Sequence, residues 1–157
     1  MRVSLIRVCM RPLLLSVSIL ALVACHGRPG RFATPGSALP PCPPSPNCVS
    51  TEATDDGHRM APVPFAGDPV RAMAAARTAL GAEARTHVVV DTAFYLRAEV
   101  TSRIFRFRDD VEITVDTVAR VYRFRSASRL GKGDMGVNRT RMERIAIRLA
   151  APRSPLP

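Results

Sequence analysis

Two adjacent carboxylates, Asp109-Asp110, are of the type that could do acid–base chemistry, because a carboxyl pair in one site can share a proton. Their spacing works against this. Neighbours in a strand point to opposite faces, so the two share a proton only if the chain bends between them. Asp109 has the parity of Phe107 and Val111, so an unbent strand aims it into the core, where it needs an arginine or backbone donors. An enzymatic reading would be a hydrolase or transferase working through Asp109 or Ser128. No nucleophile–base pair supports it: His26, His58 and His87 are isolated in the sequence, and no serine stands in a nucleophile-elbow context. No catalytic residue is therefore assigned. Asp109, Asp110, Ser126, Ser128, Arg129, Asn138 and Arg139 form a candidate polar cluster, for binding or for structure. Arg129 and Arg139 bracket a glycine-rich turn, so the expected partner of Asp109 is one of these two, with Asn138 capping the helix that follows. Within that turn Gly131-Lys132-Gly133-Asp134-Met135-Gly136 spells G-x-G-x-x-G. A dinucleotide fingerprint needs a second parallel strand, and the 21 residues after Gly136 leave no room for one. It reads as a tight loop, and no cofactor is expected.

The elements that position these residues follow from periodicity. A helix is predicted to begin at Asp68, which can cap it, with Pro69 in its first turn and Gly81 at its end. Val70, Met73, Ala74, Arg77 and Leu80 give it helical spacing. The period then switches to two over Thr86–Asp91, Phe94–Thr101, Phe105–Asp116 and Val121–Arg129. Phe105, Phe107, Val111, Ile113 and Val115 are expected on one face. A last helix over about Asn138–Ala150 aligns Met142, Ile145, Ala146 and Leu149, with Arg141, Arg144 and Arg148 on its solvent side. The predicted fold is an α+β two-layer sandwich. It consists of an antiparallel meander of about four strands, with the N-terminal and C-terminal helices packed on one face. The other face, with Arg97, Glu99, Glu112, Arg123 and Arg125, reads as a solvated, salt-paired surface.

Residues 1–24 read as a secretory signal: Arg2, Arg7 and Arg11 precede an apolar run of 13 residues, Pro12–Ala24. That is short of the ~20 residues a bilayer-spanning helix needs. Met10-Arg11 ahead of the same run would make a shorter, complete signal. Leu22-Val23-Ala24-Cys25 resembles the lipobox of bacterial lipoproteins, in which the chain is cut before a cysteine that then carries acyl groups. The reading is a protein attached to the bilayer through lipid on Cys25 and facing the periplasm, with His26 favouring the outer membrane. Residues 25–41 read as a Pro/Gly-rich tether, 42–150 as the folded domain and 151–157 as a flexible tail. The formal charge of +10 suggests a nucleic-acid partner. Loss of the signal leaves 20 basic against 13 acidic residues, and Lys132 is the sole lysine. An arginine-rich composition on a bilayer surface argues against nucleic acid. Cys9 leaves with the signal and Cys25 is acylated, so Cys42 and Cys48 remain. They form a disulfide if Ser45-Pro46-Asn47 makes the turn that brings them together. The rivals are two separate thiols, or a zinc site with His58 and His87 whose spacing fits no standard pattern.

Three blocks carry a resemblance. Cys42-Pro-Pro-Ser-Pro-Asn-Cys-Val-Ser50, Phe105-Arg-Phe-Arg-Asp-Asp-Val-Glu-Ile113, and Arg125-Ser-Ala-Ser-Arg-Leu-Gly131 with Asp134-Met-Gly-Val-Asn-Arg139 resemble the domain-of-unknown-function family 1499 over about residues 42–150. That family often has serine at the position of Gly133, in keeping with an accidental G-x-G-x-x-G. The resemblance implies a bacterial lipoprotein or membrane-associated protein and assigns no activity. The function expected from the whole sequence is a non-catalytic, lipid-anchored module that binds a small ligand or an envelope partner. A structural envelope component without a ligand is the alternative.

Overall fold

The computed structural model describes residues 27–151. The expected signal, the expected lipidation site Cys25, His26 and residues 152–157 of the expected tail lie outside the described residues. The elements are β1 (Cys48–Ser50), β2 (Val63–Pro64), α1 (Pro69–Gly81), β3 (Thr86–Asp91), β4 (Tyr95–Thr101), β5 (Arg108–Asp116), β6 (Val121–Ser128) and α2 (Val137–Ala150). One antiparallel sheet takes all six strands in the order β1-β6-β5-β4-β3, with β2 also pairing β6. The expected sandwich on a four-strand meander with two flanking helices is therefore corrected. The molecule is mainly a six-stranded antiparallel sheet. β1 aligns Cys48–Ser50 with Ala127–Arg125, and β2 aligns Val63–Pro64 with Tyr122–Val121. Strands of three and two residues show no period, so they escape a search for alternation.

The inner face of the sheet carries the main core. Leu96, Ala98, Val100, Val111, Ile113, Val115 and Phe124 pack against Met73, Ala76 and Leu80 of α1 and Met142 and Ile145 of α2. Asp68 caps α1 by accepting from the Val70 N–H at 3.0 Å. α2 opens on Gly136 at φ 77°, a left-handed conformation that suits glycine, and Gly136 supplies no side-chain cap. Asp134 does that work instead, its carboxylate accepting from the backbone N–H groups of Gly136 and Asn138. Asn138 is not the cap; it is buried in the first turn of the helix.

The outer face is not a solvated surface. Residues 27–41, the described part of the tether expected over 25–41, lie across it: Ala33 and Leu39 are buried and pack with Tyr95 and Val90. Glu112 is fully buried and Arg125 is 6% exposed beneath this strap. Burial on both faces explains why β5 has an unbroken buried run from Asp109 to Ile113. Phe105 and Phe107, expected in the core, are exposed, because β5 starts only at Arg108. The residues before it form the tip of the β4–β5 hairpin, closed by the Ser102 N–H donating to the Phe107 carbonyl. Cys42 and Cys48 are joined in a disulfide with their Cα atoms 5.7 Å apart, so neither thiol is free to hold zinc. His58 instead bonds Asp55 and the Ser45 carbonyl.

Candidate functional site

Strand parity and one helix stripe gather four of the seven candidate polar residues on the inner face. Asp109 and Ser128 are cross-strand neighbours, and Ser126 stands opposite Val111. Asn138 reaches them from α2, its side-chain N–H groups donating to Ser128 Oγ at 2.9 Å and to the Asn47 carbonyl at 3.0 Å. Ser126 Oγ donates to Asn138 Oδ1. The residue that completes the cluster is Arg141. Its guanidinium donates to Asp109 Oδ2 at 2.6 Å, to Asn138 Oδ1 at 2.7 Å and to Ser126 Oγ at 3.0 Å. The expected partner of Asp109, Arg129 or Arg139, is thus corrected to Arg141, a residue expected on the solvent side of the helix. Asn138, Arg141, Met142, Ile145 and Leu149 all lie on one buried stripe of α2. The i, i+3, i+4 spacing that identified Met142 and Ile145 extends back to Arg141 and Asn138, so the signal was present. Arg139 lies elsewhere, donating to the carbonyls of Gly57 and Arg59.

Asp110 and Arg129 belong to the outer face. Arg129 donates to Asp110 through Nε at 2.8 Å and Nη2 at 2.7 Å, and also to Glu99. Arg108 adds a 2.9 Å bond to the other oxygen of Glu99. The hydrogen bond to Asp110 raises the already high pKa of Arg129, ahead of the opposing effect of burial. Burial acts to raise the Glu99 carboxyl, but the hydrogen bond and charge of Arg129, with Arg108, hold it below the usual carboxylate range. A second outer centre is Glu112. Its Oε1 accepts from the Tyr95 hydroxyl and from the Ala33 N–H of the strap, both at 2.8 Å, and Arg125 approaches Oε2 at 3.4 Å. Burial first, and then the Glu112 charge, push the Tyr95 phenol well above its ordinary range. Tyr95 is therefore a neutral donor here.

The chemistry open to these networks is narrow. Asp109 is tied up in an ion pair and Ser128 accepts from an amide, so neither is poised to take a proton or attack a substrate. An open groove of about 590 Å³ lies at the opposite end of the sheet, between the strap turn at Pro35–Ala38 and the ends of β4, β5 and β6. Phe94 and Tyr95 give it an aromatic wall. Thr92, Thr114 and Arg123 give it a polar one, and Arg123 is held by Asp116 at 3.0 Å and Glu52 at 2.9 Å. Nothing in the sequence pointed to this groove, because its walls come from five separate segments.

Fold and polar networks together define an antiparallel-sheet domain with charge buried on both faces, one face under helices and the other under a strap. The model of the family described as "Protein of unknown function (DUF1499)" matches residues 38–149, and the chain belongs to that family. No curated protein matches the chain.

Proposed function

We propose that this protein is a non-catalytic envelope module, anchored through acyl groups on Cys25, that binds a small ligand in the groove beside Phe94. The observation that carries the reading is the contrast between that groove and the polar clusters. Asp109, Asp110, Ser126, Ser128, Arg129 and Asn138 are all spent within the fold. The groove stays open, has a volume usual for small-molecule sites, and presents Phe94 at 40% exposure. The ligand class that fits has an aromatic or aliphatic body to lie on Phe94 and a polar edge to meet Thr92, Thr114 and Arg123. The anchor is supported by the basic start, the short apolar run and Leu22-Val23-Ala24-Cys25. In cells, Cys25→Ser should move the protein from the salt-washed membrane fraction to the soluble one; full retention in the membrane overturns the anchor. For the groove, protein extracted from its own envelope should carry a discrete added mass in native mass spectrometry. Ala93→Trp, which fills the groove from an exposed position, should lose it. Identical masses without any adduct would favour a structural component that binds nothing.

A further inference from the structure

Resting on that anchored reading, we infer that the β4–β5 hairpin end of the sheet docks on the bilayer, its tip entering the interface and its arginines meeting anionic headgroups. The tip is unusual for a surface loop. Ile104 is 78% and Phe105 66% exposed, and Phe105 stacks on Phe107 with ring centroids 5.6 Å apart. Isolated exposed apolar residues need no explanation, but a contiguous apolar patch does. Arg103 and Arg106 interleave with these side chains and make no ion pair among the described residues. The loop after β6 leaves the same end of the sheet, as the Arg129 N–H donating to the Arg108 carbonyl shows. It adds Lys132 and the almost fully exposed Met135. Apolar tips flanked by cations are the composition that lies in a headgroup boundary, gaining from both acyl contact and surface charge.

The direction in which the chain leaves the fold selects the bilayer as the occupant. The strap begins at this same end: a Cβ on Gly27 would stand 2.8 Å from Arg129 Cβ and 2.9 Å from Leu130 Cγ, and Gly27 has φ 57°. Only His26 separates Gly27 from Cys25, two residue steps with a reach of at most about 7 Å. Acyl groups on Cys25 therefore hold the hairpin end, and not the far end, against the membrane. The acyl chains supply the attachment, and the hairpin fixes which end faces the lipid. β5 spans about 26 Å from Arg108 to Asp116 at ~3.3 Å per residue, so the groove beside Phe94 opens away from the bilayer.

The test uses the acylated chain reconstituted in phosphatidylcholine vesicles with and without phosphatidylglycerol. Ile104→Cys and Val118→Cys place one thiol each at exposed positions on opposite ends of the sheet, and each is labelled with an environment-sensitive fluorophore. Nitroxide-bearing lipid should quench the probe at 104 severalfold more than the probe at 118. Equal quenching, or none at 104, in a chain that sediments with the vesicles overturns the docking and leaves the anchor standing. An intact mass showing no acyl groups on Cys25 overturns the anchor, and the docking with it. Adding Arg103→Glu and Arg106→Glu to the Ile104→Cys chain should cut quenching severalfold in the vesicles with phosphatidylglycerol. Unchanged quenching there overturns the headgroup contact.

Discussion

Asp109 and Asp110 are neighbours in sequence with separate partners on opposite faces, and their energetics should differ accordingly. Among the described residues Asp109 is the sole carboxylate bonded to Arg141, which is itself buried. Asp109→Ala leaves a buried guanidinium without its counter-charge, at a cost of about 3–5 kcal/mol in chemical denaturation. Arg129 keeps Glu99 when Asp110 is removed, so Asp110→Ala should cost less, about 1–3 kcal/mol. Adding Arg141→Met to Asp109→Ala should recover much of the loss, because the stranded charge is gone. Near-zero changes for both single variants would mean that the carboxylates lie in water. Parity alone pointed Asp109 inward, and the structure bears that out. Its partner is not legible in the sequence, because arginine on a helix reads as solvent-facing unless its place on the apolar stripe is weighed. Glu99 and Glu83 give the residue scale its pH dependence. Burial opposes, but Arg144 and Arg148 hold Glu83 low, as Arg129 and Arg108 do Glu99. A carboxylate held low binds fewer protons folded than unfolded, so its stabilisation is complete above the unfolded value of about 4.3. It is lost as pH falls through the lower, folded value. Denaturation midpoints of wild type should fall with acid below that point, and Glu99→Gln should start lower and fall less steeply. Parallel pH profiles would refute the assignment.

The elements that the sequence made legible are those long enough to show a period. α1, β4 and β6 lie within a residue or two of their predicted bounds, and Asp68 caps α1 as expected. Three features stayed hidden, each for a local reason. β1 and β2 are too short to alternate. Phe105 and Phe107 have strand parity with Val111, but the hairpin turns before it reaches them. The strap is Pro/Gly-rich and lacks apolar period, yet small contacts fix it: Leu39 against Tyr95, the Ala33 N–H on Glu112, and the Phe32 ring under the Arg97 guanidinium. Charged residues at Glu112 and Arg125 suggested a wet face because nothing local announces that residues some 80 positions earlier will cover it. Leu39→Ala should therefore act beyond its own site. Losing a buried leucine side chain costs about 2–5 kcal/mol, and the strap should become the first segment cut in limited proteolysis. Unaltered cleavage of residues 27–41 would show that Leu39 does not hold it down.

At the scale of the whole molecule the sheet divides into a local part and a long-range part. β3 to β6 follow one another in sequence and space, so their pairings close short loops, whereas β1 must find β6 across the register Cys48↔Ala127. The entropy of closing that longer loop makes β1 the costlier strand to dock. It has few contacts of its own, being three residues long. The Cys42–Cys48 bridge ties the end of the strap to the first residue of β1, so the two should open as one unit. Native-state hydrogen exchange should show this order. Amides of β4 and β5, buried between helices and strap, exchange only on global unfolding; those joining β1 to β6 exchange through a cheaper, partial opening. Replacing both Cys42 and Cys48 with alanine removes a short loop constraint of about 2 kcal/mol. If strap and β1 form one opening unit, the replacement speeds exchange at β1 and across the strap together, while β4 and β5 change only by the drop in global stability. Equal acceleration at every amide would mean that the sheet opens as a single block and that the strap belongs to its core.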